Sequence, residues 1–203
     1  MCKKIRELNG KTPADLLTIS NQTGAFPIDV AEICYKMGIH LVPFDFSVLK
    51  NQTGYSTDAF WRENGEERRD ILGAIIAKGD DLAILYKSDD LVNDRRFTIA
   101  HEIAHSCLHM NPDNQFHIEF LTDPQDEREK EKEQQADRFA RRLLVPADSL
   151  WKVIGDTMRV SPKTVSTLST LFMVSEEVMW TRLQELEISI VDPLVKRYTM
   201  VYE

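Results

Sequence analysis

A chain of 203 residues, 42% hydrophobic and 29% charged, can bury one well-formed core, or a domain of about 150 residues with a small appendage, and lacks the apolar depletion of a disordered polymer. Its net charge of -8 and pI near 5.2 argue against a broad nucleic-acid footprint, which needs clustered Lys and Arg, so another protein is the expected partner. No run approaches the roughly 20 apolar residues of a membrane span, and Met1-Cys2-Lys3-Lys4-Ile5-Arg6-Glu7 leads into polar sequence instead of an apolar signal core, so the expectation is a cytoplasmic protein with no membrane partner.

Residues 1–24 are polar, with one helical candidate at 12–17, where Thr12 can cap and Pro13 takes the first helical position. A second short helix follows Pro27, with Val30, Ile33, Cys34 and Met37 at helical spacing before Gly38 stops it. Residues 39–46 read as a strand that Pro43 restricts to a sheet edge or a bulge. The polar stretch 49–70 has no clear period and reads as a long loop. Two apolar runs, 71–78 and 82–87, joined by Gly79-Asp80-Asp81, predict a hairpin. Helical periodicity runs from Asp94 to about His109, breaks over 111–124, and resumes from about Asp126 to Leu144. Helices at 147–154, 162–172 and 176–186 complete the chain, with Ser161 and Ser175 as N-caps.

Cys2, Cys34 and Cys107 form an odd, widely spaced set that makes neither a disulfide framework nor a Cys-x-x-Cys metal pair, and they read as reduced thiols. Cys107 in particular reads as a small buried apolar residue.

The chemistry lies in His101-Glu102-Ile103-Ala104-His105. On a helix this H-E-x-x-H pattern sets two imidazoles one turn apart on one side, able to converge on one zinc ion, while Glu102, rotated by about 100°, faces a water as general base. The pattern arises by chance in on the order of one sequence in a hundred, so its surroundings must decide. Phe97, Ala100, Ala104 and Leu108 form an apolar stripe with both histidines along its edge, which directs them into a structured interior. A catalytic zinc takes three protein ligands and leaves a position open. On the second long helix Glu129, Glu133 and Asp137 share nearly one line. Glu129 lies a full turn before the apolar stripe of Ala136, Phe139, Ala140, Leu143 and Leu144, among Glu127, Arg128, Lys130 and Lys132, and belongs in solvent. Asp137 is shorter and suits an acceptor for a ligand imidazole. Glu133 is therefore the expected third ligand. His109 lies two turns, about 12 Å, from His101, cannot share its ion, and reads as solvated or as a support to a ligand. His40 and His117 have no spacing partner.

Arg96-Phe97-Thr98-Ile99-Ala100-His101-Glu102-Ile103-Ala104-His105, followed by Glu133-x-x-Ala136-Asp137-x-Phe139-Ala140-x-x-Leu143-Leu144-Val145-Pro146, resembles the ImmA/IrrE family of metallo-endopeptidases. The resemblance is sharp over about residues 71–146. It implies an α+β, zincin-like fold, with a small β-sheet packed on the H-E-x-x-H helix and the Glu-ligand helix. It also implies a gluzincin-like site in which Zn²⁺ is held by His101, His105 and Glu133. The expected organisation is an N-terminal segment 1–26, a zincin-like domain 27–146 and a C-terminal helical unit 147–203 that resembles a helix-turn-helix. The resemblance further implies cleavage of a helix-turn-helix repressor of a phage, mobile element or stress regulon. Many members carry Glu before the Ala of the second block, where this chain has Gln135, a departure that bears on charge near the site.

The expected reaction is single-step peptide hydrolysis with Glu102 as catalytic base and Asp137 supporting a ligand. The hairpin at 71–87 could hold a substrate peptide as an added strand. Tyr55, Tyr86 and His109 are candidates for stabilising developing charge. Two rival readings use the same features. One is a regulator in which zinc is only structural and the C-terminal unit binds DNA, opposed by Glu176, Glu177, Glu185 and Glu187 against the one Arg182. The other is a catalytically silent module whose cleft only binds protein.

Overall fold

The computed structural model describes residues 2–44, 71–110, 116–120 and 126–191. The stretch expected to be a polar loop, with Tyr55, lies outside the described residues. The chain begins with α1 (Lys3–Leu8), α2 (Pro13–Ile19) and α3 (Val30–Met37), followed by β1 (Ile39–Phe44). At α2, Thr12 Oγ1 accepts the Asp15 N–H and the Asp15 carboxylate accepts the Thr12 N–H at 2.8 Å, a capping box with Pro13 just inside it. Helix α1 is not evident in its polar sequence. Six residues cannot sustain a helix in water, and tertiary burial of Ile5 and Leu8 holds it.

β1 joins β2 (Ile71–Lys78), β3 (Asp81–Lys87) and β4 (Phe116–Phe120) in a sheet of order β1-β3-β2-β4. β1 runs parallel to β3, and β2 is antiparallel to both β3 and β4. Gly79 supplies the positive φ (+63°) that the tight turn between β2 and β3 requires. Pro43 sits in β1, at the sheet edge, where its missing N–H costs no interior ladder bond. β4 corrects two expectations. The apparent break at 111–124 contains a strand, whose Phe116-His117-Ile118-Glu119-Phe120 alternation was its one signal. The hairpin expected to receive a peptide at its edge is flanked on both sides, by β1 on β3 and by β4 on β2, so neither of its strands is an edge of the sheet.

The long helices are α4 (Val92–Leu108) and α5 (Glu127–Leu144). α4 contacts β2 and β3 as well as α5, α3 and α1, so every residue from Ile99 to Cys107 is buried, in place of the single stripe its periodicity implies. Leu108, expected in that stripe, is 41% exposed beyond the covered stretch. Ala100 and Ala104 on α4 and Ala136 and Ala140 on α5 are fully buried, and side chains this small let packed backbones approach closely. α5 turns Ala136, Phe139, Ala140, Leu143 and Leu144 inward. Its first turns carry the exposed pairs Glu127–Lys130 and Glu129–Lys132.

α6 (Ala147–Ile154), β5 (Arg159–Val160), α7 (Pro162–Phe172), α8 (Glu176–Glu185) and β6 (Ser189–Ile190) follow, with β5 and β6 paired in parallel. Ser161 and Ser175 cap α7 and α8. These helices are fastened to the metal-motif helices. Arg96 Nε donates to Met173 O at 3.0 Å, Asn93 Nδ2 to Val174 O at 3.2 Å, and Arg141 Nε to Glu185 Oε1 at 2.8 Å. Phe26 and Phe172 stack with ring centroids 5.1 Å apart. One apolar cluster includes Ile5, Ile33, Ile103, Leu143, Phe172 and Ile188, drawn from all three expected segments. Cys2, Cys34 and Cys107 are free thiols within it, and burial pushes Cys34 and Cys107 up to about 12. No helix among the described residues is long and apolar enough to cross a membrane.

Arg182 of α8 is 5% exposed, donates from Nε to Val145 O at 3.0 Å and pairs with Glu185 Oε2 at 3.0 Å. A buried charge satisfied this way is a structural tie, and its removal strands the Val145 carbonyl. Arg182→Ala should lower the free energy of unfolding by about 2–4 kcal/mol in urea denaturation. An unchanged transition midpoint would show that this tie contributes nothing.

Candidate metal centre

His101 and His105 lie one turn apart on α4, and α5 brings Glu133 against them. The two Nε2 atoms are 2.9 Å apart, and Glu133 Oε2 is 3.1 Å from His101 Nε2 and 3.4 Å from His105 Nε2. Two ligands at 2.0–2.1 Å from a tetrahedral ion stand about 3.3 Å apart. The three donors therefore form a triangle slightly tighter than one zinc ion requires, a difference that small side-chain rotations absorb. His105 is fully buried, His101 nearly so, and the Glu133 side chain is 25% exposed, so of the three donors Glu133 is the one in contact with solvent. Three such donors crowded in a low-dielectric interior fit a cation better than they fit one another. Two imidazoles and a carboxylate suit zinc over the hard oxygen-seeking cations.

The outer nitrogens of both imidazoles are occupied. His101 Nδ1 is 2.9 Å from Asp137 Oδ1. A carboxylate only accepts, so Nδ1 carries the hydrogen and the Nε2 lone pair faces the triangle. Asp137 is in turn 3.6 Å from Arg141 Nη1 and 43% exposed. His105 Nδ1 is 3.1 Å from His109 Nδ1, and His109 Nε2 is 3.1 Å from Gln135 Oε1. His109 is half-buried, and desolvation lowers its pKa against the opposing effect of the Gln135 hydrogen bond. The i+4 spacing His101, His105, His109 was visible in the sequence. The contact between His109 and Gln135, 26 residues apart on different helices, was not.

Glu102 is fully buried and turns toward β2. A Cβ at Gly73 would stand 2.6 Å from Glu102 Oε1 and 2.7 Å from Thr98 Cγ2, so only glycine permits β2 to approach α4 this closely. Tyr86 faces Gly73 across the β2–β3 ladder, which puts both on one face of the sheet. Of the other candidates for stabilising charge, Tyr55 is outside the described residues and His109 is engaged with His105 and Gln135. His40 is exposed beside Asp81, and the side chain of His117 is outside the description. Glu129 stays with Lys132 in solvent. A cavity of about 300 Å³ lies beside Asp137, lined also by Asn93, Phe97 and Thr98 of α4 and by Val178 and Thr181 of α8.

Residues 65–184 match the family model of the IrrE N-terminal-like domain, Peptidase_M78, over more than half the chain. The chain belongs to this family. It is a metallopeptidase family of the IrrE/ImmA type, and the His101–His105–Glu133 group can hold its metal. The matched region extends past α5 to take in α6, α7 and nearly all of α8. No curated protein matches the chain.

Glu133→Ala should weaken zinc binding severely, Asp137→Ala should weaken it about 10- to 100-fold through ligand orientation, and Glu129→Ala should leave it unchanged, as measured by competition with a chelator. Coordination through Glu129 or Asp137 would refute the ligand set. Gly73→Ala should retain zinc but lose most hydrolysis, because the added methyl displaces Glu102. Full activity in that variant would show that the close approach of β2 has no bearing on the base.

Proposed function

We propose that this protein is a cytoplasmic zinc-dependent endopeptidase that cleaves another protein, with a helix-turn-helix repressor of a phage, mobile element or stress regulon as its substrate class. The observation that carries the hydrolytic reading is the triangle of donors at 2.9–3.4 Å on two helices, with the buried Glu102 next in the chain to His101 and packed close to Gly73 of β2. The substrate class rests on the resemblance to ImmA/IrrE proteins.

A bound zinc would polarise the scissile carbonyl and acidify a water. The Glu102 carboxylate accepts the proton as water oxygen attacks the carbonyl carbon, and returns it to the amine as the C–N bond breaks. Burial in a dry site strengthens its interaction with the developing charge. Asp137 and His109 keep the ligand rings from turning while this happens.

Direct DNA binding by α8 is disfavoured by its side chains. Arg182, the one cation on α8, is committed to Val145 O and Glu185, while Glu176 and Glu177 occupy the first turn of α8. The wall that α8 contributes to the cavity beside Asp137 supports a role for these helices in holding the protein substrate.

Glu102→Gln should retain stoichiometric zinc and lose cleavage, since an amide cannot take the proton, whereas His101→Ala should lose both. The assay is cleavage of a helix-turn-helix repressor, run with metal analysis. Equal cleavage by Glu102→Gln and wild type would exclude the peptidase mechanism. Full zinc in His101→Ala would show that the site is misplaced. The wild-type protein should also show little duplex-DNA binding at physiological salt in a gel-shift titration, and sequence-specific binding weakened near Ser175 would reverse that assignment.

A further inference from the structure

Gln135 and Glu131 lie one turn apart on the exposed side of α5, outside the ligand set. The Gln135 side-chain Nε2 donates to Glu131 Oε1 at 3.3 Å, while its Oε1 is 3.1 Å from His109 Nε2. His109 Nδ1 is 3.1 Å from His105 Nδ1. Each group in this row has a fixed inventory of donors and acceptors, so the direction of every bond follows from its outer end. The Glu131 carboxylate can only accept, which turns the NH₂ of Gln135 toward it and the amide oxygen toward His109. An amide oxygen only accepts, so His109 carries its hydrogen on Nε2 and presents a bare Nδ1 to His105. His105 must then carry its hydrogen on Nδ1, which leaves the Nε2 lone pair facing Glu133 and His101.

We propose that Glu131, Gln135 and His109 are positioning residues that set the tautomer and ring plane of His105 for metal ligation. This inference rests on the metal site proposed above. The two ligand imidazoles are then held by different means: His101 by the Asp137 carboxylate directly, and His105 by a neutral imidazole and amide whose direction a surface carboxylate sets. A reversed Gln135 amide would put hydrogen on His105 Nε2 and abolish its ligand capacity, so an exposed glutamate influences a buried ligand three hydrogen bonds away.

The test uses the full chain with zinc as the sole probe, by competition with a chromophoric chelator, and ¹⁵N-resolved NMR of the His105 ring. His105 should carry its hydrogen on Nδ1 in both metal-free and zinc-loaded wild type. His109→Ala should weaken zinc about 10- to 100-fold with an unchanged metal-free unfolding transition. Glu131→Ala should weaken it by a smaller factor, about three- to fivefold. Gln135→Glu should abolish the effect of Glu131→Ala, because a carboxylate at 135 accepts from His109 in either orientation. An Nε2-protonated His105 in the wild type, unchanged affinity in His109→Ala, or an equal Glu131→Ala effect in both backgrounds would overturn the proposal. A wild-type chain that binds no zinc would sink the metal reading alone. The metal-free His105 tautomer, compared between wild type and Gln135→Leu, would then decide the relay: a shift away from Nδ1–H in the variant supports it, and no change overturns it.

Discussion

The crossing of α4 over α5 places three lone-pair donors within 3.4 Å of one another in a space where two of the three side chains are almost wholly buried. A cation at the centre would satisfy all three at once, and the surrounding structure is arranged around that crowding. Alanines on both helices permit the approach. Each imidazole has its outer nitrogen hydrogen-bonded, so neither ring is free to turn its lone pair away from the centre.

Consecutive residues on a helix point about 100° apart, so α4 presents different side chains to its two neighbours. His101 and His105 face α5, and Glu102 faces β2, where the missing side chain of Gly73 leaves room for its carboxylate. The N-terminal part of α4 is held in turn by the chain between α7 and α8, through Asn93 and Arg96. Arg141 connects Asp137 to Glu185, so the support of one ligand histidine is continuous with the C-terminal helices. The family match likewise runs on past the end of α5 to residue 184.

Much of this arrangement was legible in the chain because its signals are local. The spacing of His101 and His105, the line of Glu133 and Asp137, the Thr12, Ser161 and Ser175 caps and the two-strand hairpin all depend on residues within a few positions of one another. The features that were missed depend on distant partners. Helix α1 exists because Ile5 and Leu8 find a core, and β4 is five residues long and pairs with a strand about 45 positions earlier. The stripe expected on α4 underestimated its burial, since periodicity cannot show that a helix is covered by a sheet and by other helices at once. His109 was placed outside the ion but not against Gln135, because that contact depends on the angle between two helices.

The most direct test is X-ray absorption at the zinc edge on the purified full chain after stoichiometric loading. The account predicts a first shell of nitrogen and oxygen only, at about 2.0–2.1 Å, with outer-shell scattering from two imidazoles and none from sulfur. A sulfur shell near 2.3 Å, or imidazole scattering from a single ring, would contradict coordination by His101, His105 and Glu133.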